Sequence, residues 1–125
     1  MTMASKDNPF DMDGSDPTSA QLERVFTALK DPLRRETLME LADREEDTIS
    51  VDALCLTFGE DPRGLEGTEY EGWEVESLRT EMIHTHLPYL EDRNVIEYDA
   101  RSEMIRYRGH STVEAVLETI DEQKR

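Results

Sequence analysis

The chain has 125 residues, 30 acids against 14 bases and a formal net charge of −16. That leaves room for one domain and a tail, and it is the wrong sign for a surface that grips phosphates. No apolar run approaches the length needed to span a bilayer, and a single cysteine, Cys55, excludes an intrachain disulfide or a CxxC zinc site. The first residues carry no basic region followed by an apolar block, so no signal peptide is expected and the cytoplasm is the default compartment.

Residues 1–18 are rich in Asp, Pro, Gly and Ser, with little that is apolar beyond Phe10, and read as a disordered acidic tail. One domain is expected over residues 19–125. Ser19 offers an N-cap for a first helix with Leu22, Val25, Phe26 and Leu29 at helical spacing. Asp31 caps a second helix with Pro32 at its first position, where the missing N–H costs nothing, and Leu33, Thr37, Leu38 and Leu41 form its buried stripe. Ser50 is the next good cap, with Val51, Leu54 and Phe58 on one face of a short third helix.

From Gly59 to Trp73 the chain turns into a Gly- and acid-rich insertion, a loop by composition, with Trp73 expected as the apolar anchor that closes it onto the core. A fourth helix follows over residues 74–93, with Val75, Leu78, Met82, Ile83, His86, Leu87 and Leu90 inward and a kink expected at Pro88. Residues 95–108 alternate as two short strands, Val95–Tyr98 and Met104–Tyr107, around a polar tip. Ser111 or Thr112 then caps a last helix over 111–123, with Val113, Val116, Leu117 and Ile120 on one side.

Two segments carry a family resemblance. Asp31-Pro32-Leu33-Arg34-Arg35 with Leu38 resembles the D-P-x-R-R-x-x-(I/L) start of the second helix in ArsR-like winged-helix regulators. His86-Leu87, Leu90 and Asn94-Val95-Ile96 resemble their H-L-x-x-L-x-x-x-G-(L/I)-(V/I). A closer likeness is to haloarchaeal winged-helix domains with H-x-H-L-P-x-L-x-D-x-G-(L/V)-(V/I)-E-Y-D and an acidic insertion before the recognition helix. His84, His86, Leu87, Pro88, Leu90, Asp92 and Val95 to Asp99 match, while Asn94 replaces the glycine with a residue that also tolerates the left-handed conformation. The resemblance covers roughly residues 20–108. It implies a mainly α, α+β fold: a winged helix-turn-helix with a two-stranded wing (95–108) and an additional C-terminal helix. The family is presumed to regulate transcription.

In such a fold the second helix of the pair enters the major groove. The outward positions of the fourth helix then include Arg79, Thr80, Glu81, His84, Thr85 and Tyr89. Glu76 and Glu81 count against DNA unless they read cytosine or exclude wrong sites. The hydroxyls and His84 are suited to base or phosphate hydrogen bonds, and Arg79 to neutralising a phosphate. Arg101, Arg106 and Arg108 on the hairpin are the second set of candidate DNA contacts. Each set has a plainer alternative: a solvated helix face of mixed charge, and ion pairing of the hairpin arginines with Glu97, Asp99 and Glu103. Arg34 and Arg35 are read as structural, packing the second helix against its neighbours.

Metal sensing is disfavoured. His84 and His86 are two apart on a helix and diverge by roughly 200°, Cys55 stands alone on an apolar face, and His86 is expected in the core with a ring nitrogen on backbone. No nucleophile-elbow, phosphate-binding or H-E-x-x-H motif is present, so no enzyme and no cofactor is expected.

The partners expected are double-stranded DNA, through a palindromic site, and a second copy of the chain. The dimer would use the apolar stripes of the first and last helices: Leu22, Val25, Phe26, Val113, Val116, Leu117 and Ile120. Arginine outnumbers lysine eleven to three, and this acidic, lysine-poor surface suits a salty cytoplasm, where at about 1 M salt the Debye length of roughly 3 Å removes most self-repulsion. The rival reading is a winged-helix protein-interaction module that has lost nucleic acid. A regulator that senses a small ligand has no pocket visible in the sequence.

Overall fold

The computed structural model describes the backbone over residues 18–124 and side chains as far as Ile120. The tail expected over residues 1–18 therefore lies, apart from Thr18, outside the described residues. Among those residues five helices and one antiparallel sheet make the chain mainly helical, of α+β class. None of the helices is long and apolar enough to cross a membrane.

Helix α1, Ser19–Lys30, is capped by Thr18 rather than Ser19: Thr18 Oγ1 accepts from the Gln21 N–H and Gln21 Oε1 accepts from the Thr18 N–H. This reciprocal box satisfies two otherwise open groups, a stronger device than a serine one residue later. Helix α2, Pro32–Asp43, begins as its sequence predicts, with one Asp31 carboxylate oxygen accepting from the N–H groups of Leu33 and Arg34 at 2.8 and 3.1 Å.

Strand β1, Thr48–Ser50, has no counterpart in the sequence reading. Strands β2, Ile96–Asp99, and β3, Met104–Tyr107, form the expected hairpin, but β1 adds to its far side, giving the order β1-β3-β2. Ile49 faces Ile105 across β1 and β3, and Tyr98 faces Ile105 across β2 and β3. Three residues cannot display an alternation, and the partner strand lies far along the chain, so nothing local marks β1. The ladder continues past it, with the Tyr107 N–H on the Asp47 carbonyl and the Val51 N–H on the Glu103 carbonyl.

Helix α3, Val51–Glu60, starts at Ser50 as expected but runs on through Gly59. A Cβ at Gly59 would meet a Val75 methyl at 2.8 Å, so this glycine serves the close approach of α3 to the next long helix rather than opening a loop. The insertion thus begins at Asp61. It contains a 3-10 turn, Pro62–Leu65, and buries Leu65 and Tyr70. Trp73 is 39% exposed and packs edge-on against Tyr70 at 5.0 Å. The anchor of the insertion is therefore Tyr70, not Trp73, because the phenol brings a hydroxyl that buried polar groups can use.

Helix α4 runs Val75–Glu81, continues as a π-helical turn over Met82–His86, and ends as Leu87–Asp92. The kink expected at Pro88 takes the form of this π turn. The Leu87 N–H reaches back to the Met82 carbonyl, and the extra residue lets His86 and Leu87 both turn inward beside Leu78, Met82 and Leu90. Asn94, with φ 61°, makes the left-handed turn into β2. Helix α5, Ser111–Lys124, is capped by neither Ser111 nor Thr112: His110 Nδ1 accepts from the Val113 N–H at 3.3 Å.

Helices α1 and α5 pack on each other, so most of the residues expected to face a second copy are spent inside one chain. Val25, Val113 and Leu117 are buried within one chain, and Val116 and Ile120 lean against the same core. Phe26, 53% exposed, and the half-buried Leu22 are what remain of the α1 stripe. Ile105 closes the core beneath the sheet, fully buried between Ile49 and Tyr98. Truncation there leaves a cavity as well as losing transfer energy, so Ile105→Ala is expected to cost about 2–5 kcal/mol. Urea unfolding should show this as a lower midpoint with an unchanged m-value.

Candidate nucleic-acid interface

The fully exposed positions of α4 between its charged ends are uncharged, with Glu81 half-buried beside them. Ser77, Thr80, His84, Thr85 and Pro88 make up this strip, and Glu76 and Glu91 lie beyond it. The Thr80 hydroxyl donates back to the Glu76 carbonyl, leaving its lone pairs outward. Arg79 is not free for a phosphate. Its Nε donates to Asp52 Oδ1 of α3 at 2.8 Å and its Nη2 to Glu103 Oε1 of the hairpin tip at 2.5 Å. The Glu103 hydrogen bond and then that of Asp52 raise its pKa further, so it is a fixed cation joining three elements.

Tyr89, also expected to face outward, is half-buried with its ring between two guanidiniums, Arg34 at 4.0 Å and Arg93 at 3.5 Å from the centroid. The π turn rotates position 89 toward α2, which an unbroken α-helix would not do. On the hairpin, Arg106 Nε sits 3.6 Å from Asp47 and Arg108 donates to Glu97 Oε2 at 3.0 Å. Arg101 is exposed and makes no ion pair among the described residues. Thr80, His84, Thr85 and Arg101 thus lie open to solvent, Arg106 and Arg108 are exposed but paired, and Arg79 and Tyr89 are built into the scaffold.

Behind the strip lies a buried polar cluster that sequence reasoning missed. His86 is 2% exposed and bonds side chains, not backbone as expected. The Tyr70 hydroxyl donates to Asp31 Oδ2 at 2.6 Å, so toward His86 Nε2, 3.1 Å away, it accepts. The proton therefore sits on Nε2, and Nδ1 is free to accept from Arg34 Nη1 at 3.3 Å. Arg34 also donates to the carbonyls of Ala28 and Thr27, and Arg35 to that of Leu29, which tie α2 to the end of α1. Burial, assisted by the Arg34 charge, lowers the His86 pKa against the opposing pull of Asp31 and Glu81. Burial and the Asp31 hydrogen bond push the Tyr70 phenol up. Both groups are neutral near pH 7. Asp31 as a cap, Arg34 as a structural arginine and His86 as a core histidine are legible in the sequence, but nothing marks Tyr70 as the group that joins them.

Cys55 is fully buried with its thiol pushed up to about 11 by burial and then by Asp52, which makes it a poor ligand. Among the described residues no group of three or more His, Cys, Asp or Glu is placed to hold a metal ion.

A family described as a domain of unknown function (DUF7344) matches residues 13–106, and the chain belongs to that family. The match takes in α1 to α4 and nearly all of the sheet, and stops short of α5. No curated protein and no solved structure matches the chain.

The His86 cluster carries a pH dependence with a definite sign. Unfolded, the imidazole protonates near its ordinary 6.5; folded, it resists, so below that pH the unfolded chain binds the additional proton and stability falls with falling pH. Urea midpoints should therefore drop between about pH 7 and about pH 5. The slope attributable to this site should vanish in His86→Gln, and an identical slope in that variant would rule the site out as its source.

Proposed function

We propose that this chain, a member of the DUF7344 family, is a winged helix-turn-helix transcription regulator that binds double-stranded DNA as a homodimer in a high-salt cytoplasm. On this reading α3 and α4 are the helix pair, α4 is the recognition helix, and the β2–β3 hairpin is the wing. The resemblance of Asp31 to Leu38 and of His84 to Asp99 to haloarchaeal ArsR-like domains supports the assignment.

One observation carries it. Residues 77–89 and 95–108 hold four arginines (Arg79, Arg101, Arg106, Arg108) and four acids (Glu81, Glu97, Asp99, Glu103), so this surface is neutral while the chain as a whole carries −16. Glu81 is the one acid of residues 77–89, half-buried with its carboxylate 3.6 Å from His86 Nε2. Binding would then rest on hydrogen bonds from Thr80, His84 and Thr85 and on shape, with Arg101 as the cation that no described carboxylate answers. Such a surface also suits high salt, where affinity from counterion release fades.

The interaction-module alternative has its own support, since Arg79, Arg106 and Arg108 are each answered by a carboxylate of the same chain.

Tagged protein recovered with DNA at native salt separates the two. Discrete, palindromic sites are expected, and a genome-wide profile without discrete peaks would overturn the regulator. On a recovered site, changing Thr80, His84 and Thr85 together to Ala should weaken binding about 10,000-fold, at roughly 1 kcal/mol for each of three hydrogen bonds in each of two subunits. The salt slope of the wild type should be shallow, about −2 when Arg101 of each of two subunits meets one phosphate.

A further inference from the structure

A cavity of about 400 Å3 opens between α1, the C-terminal end of α4 and the start of α5. Its charge is opposite to that of the chain around it. Two arginines, Arg24 and Arg93, line it with His110 beside them, against one carboxylate, Asp92. That carboxylate is 84% exposed and lies 3.8 Å from the nearest Arg93 nitrogen, too far to satisfy it.

The donors are held and unspent. Arg93 is pinned by its stack on Tyr89 and by its bond to the Tyr89 carbonyl, while its Nε is buried without a hydrogen-bond partner. That Nε has no open surface, so an arriving acceptor meets the Nη end of Arg93, whose side chain is 32% exposed. His110 spends Nδ1 as acceptor of the Val113 N–H, so its proton sits on Nε2. Arg24 makes no ion pair among the described residues. The remaining walls are mixed: Gln21 and Asn94 are polar, and the nearly buried Val25, Ala28, Val95 and Val113 supply a narrow apolar strip.

We propose that this cavity binds a small amphiphilic anion, a carboxylate head set among Arg24, Arg93 and His110 with a short aliphatic body along the apolar strip at Val25. The apolar strip is what selects an organic acid over an inorganic oxyanion: contact with it persists at salt concentrations that screen a bare charge. The volume falls in the range of small-molecule sites. The occupant would touch α1, the end of α4 and the cap of α5 together. This makes it the natural effector of the proposed regulator, and to that extent its biological meaning rests on the DNA-binding reading. Binding itself does not, and it is tested on the protein alone.

The full chain, labelled with 15N, is titrated with hexanoate, with hexanol and with inorganic phosphate at fixed chloride. Hexanoate should give saturable amide shifts at Asn94, Val95, His110 and Val113, with hexanol and phosphate binding at least about ten-fold more weakly, the worth of one charge-assisted hydrogen bond. Arg24→Gln changes an exposed side chain and should leave the rest of the spectrum in place while raising the hexanoate Kd by about ten-fold. Absence of saturable shifts overturns the proposal, as does equal binding of hexanol or phosphate, or an unchanged Kd in Arg24→Gln. None of these results bears on recovery of DNA sites.

Discussion

The neutral imidazole of His86 is the contact on which the arrangement of this chain depends. It is held by an arginine of α2 on one nitrogen and by the phenol of the insertion on the other, and that phenol is anchored to the carboxylate that caps α2. Each group needs the others to be satisfied at this depth. A buried network of this kind is favourable when complete and costly when broken at any member. The π turn in α4 exists in the same stretch because Pro88 withholds an N–H and the ring must reach inward. The acidic insertion, which by composition looks like a loop free to wander, is thereby fastened to the helix whose outer strip is the candidate reading surface.

Charge is distributed unevenly over this frame. The exposed strip of α4 and the hairpin sum to zero, the cavity at the α1–α5 junction leans positive, and the acids crowd elsewhere, as around Glu36, Glu40, Asp43, Asp61, Glu114 and Glu118 beside α2 and α3. Self-repulsion at low ionic strength is the cost of such an excess, and salt relieves it.

Much of the helical frame was legible in the sequence, because caps and 3.6-residue periodicity are local. Asp31-Pro32 and Ser50 start their helices where expected, and Asn94 adopts the left-handed turn. What escaped depends on contacts distant in sequence. Strand β1 is three residues whose only evidence is a partner strand over fifty positions away. Gly59 reads as a breaker until Val75 is seen against it. Tyr70 and Trp73 cannot be ranked as anchors without knowing that a carboxylate and an imidazole wait beneath one of them. Two of the expected site residues stand elsewhere for the same reason: Arg79 and Tyr89 have outward positions on an ideal helix, and only the π turn and the carboxylates of Asp52 and Glu103 show them as scaffold.

Glu103 is bound twice, its carboxylate to Arg79 on α4 and its carbonyl to the Val51 N–H at the start of α3. The tip of the hairpin is thus latched to both helices beneath it instead of swinging from its base. Any partner meeting this surface finds a rigid plate whose shape is set beforehand. Little ordering entropy is then lost on contact, and the burden of adjustment falls on the partner.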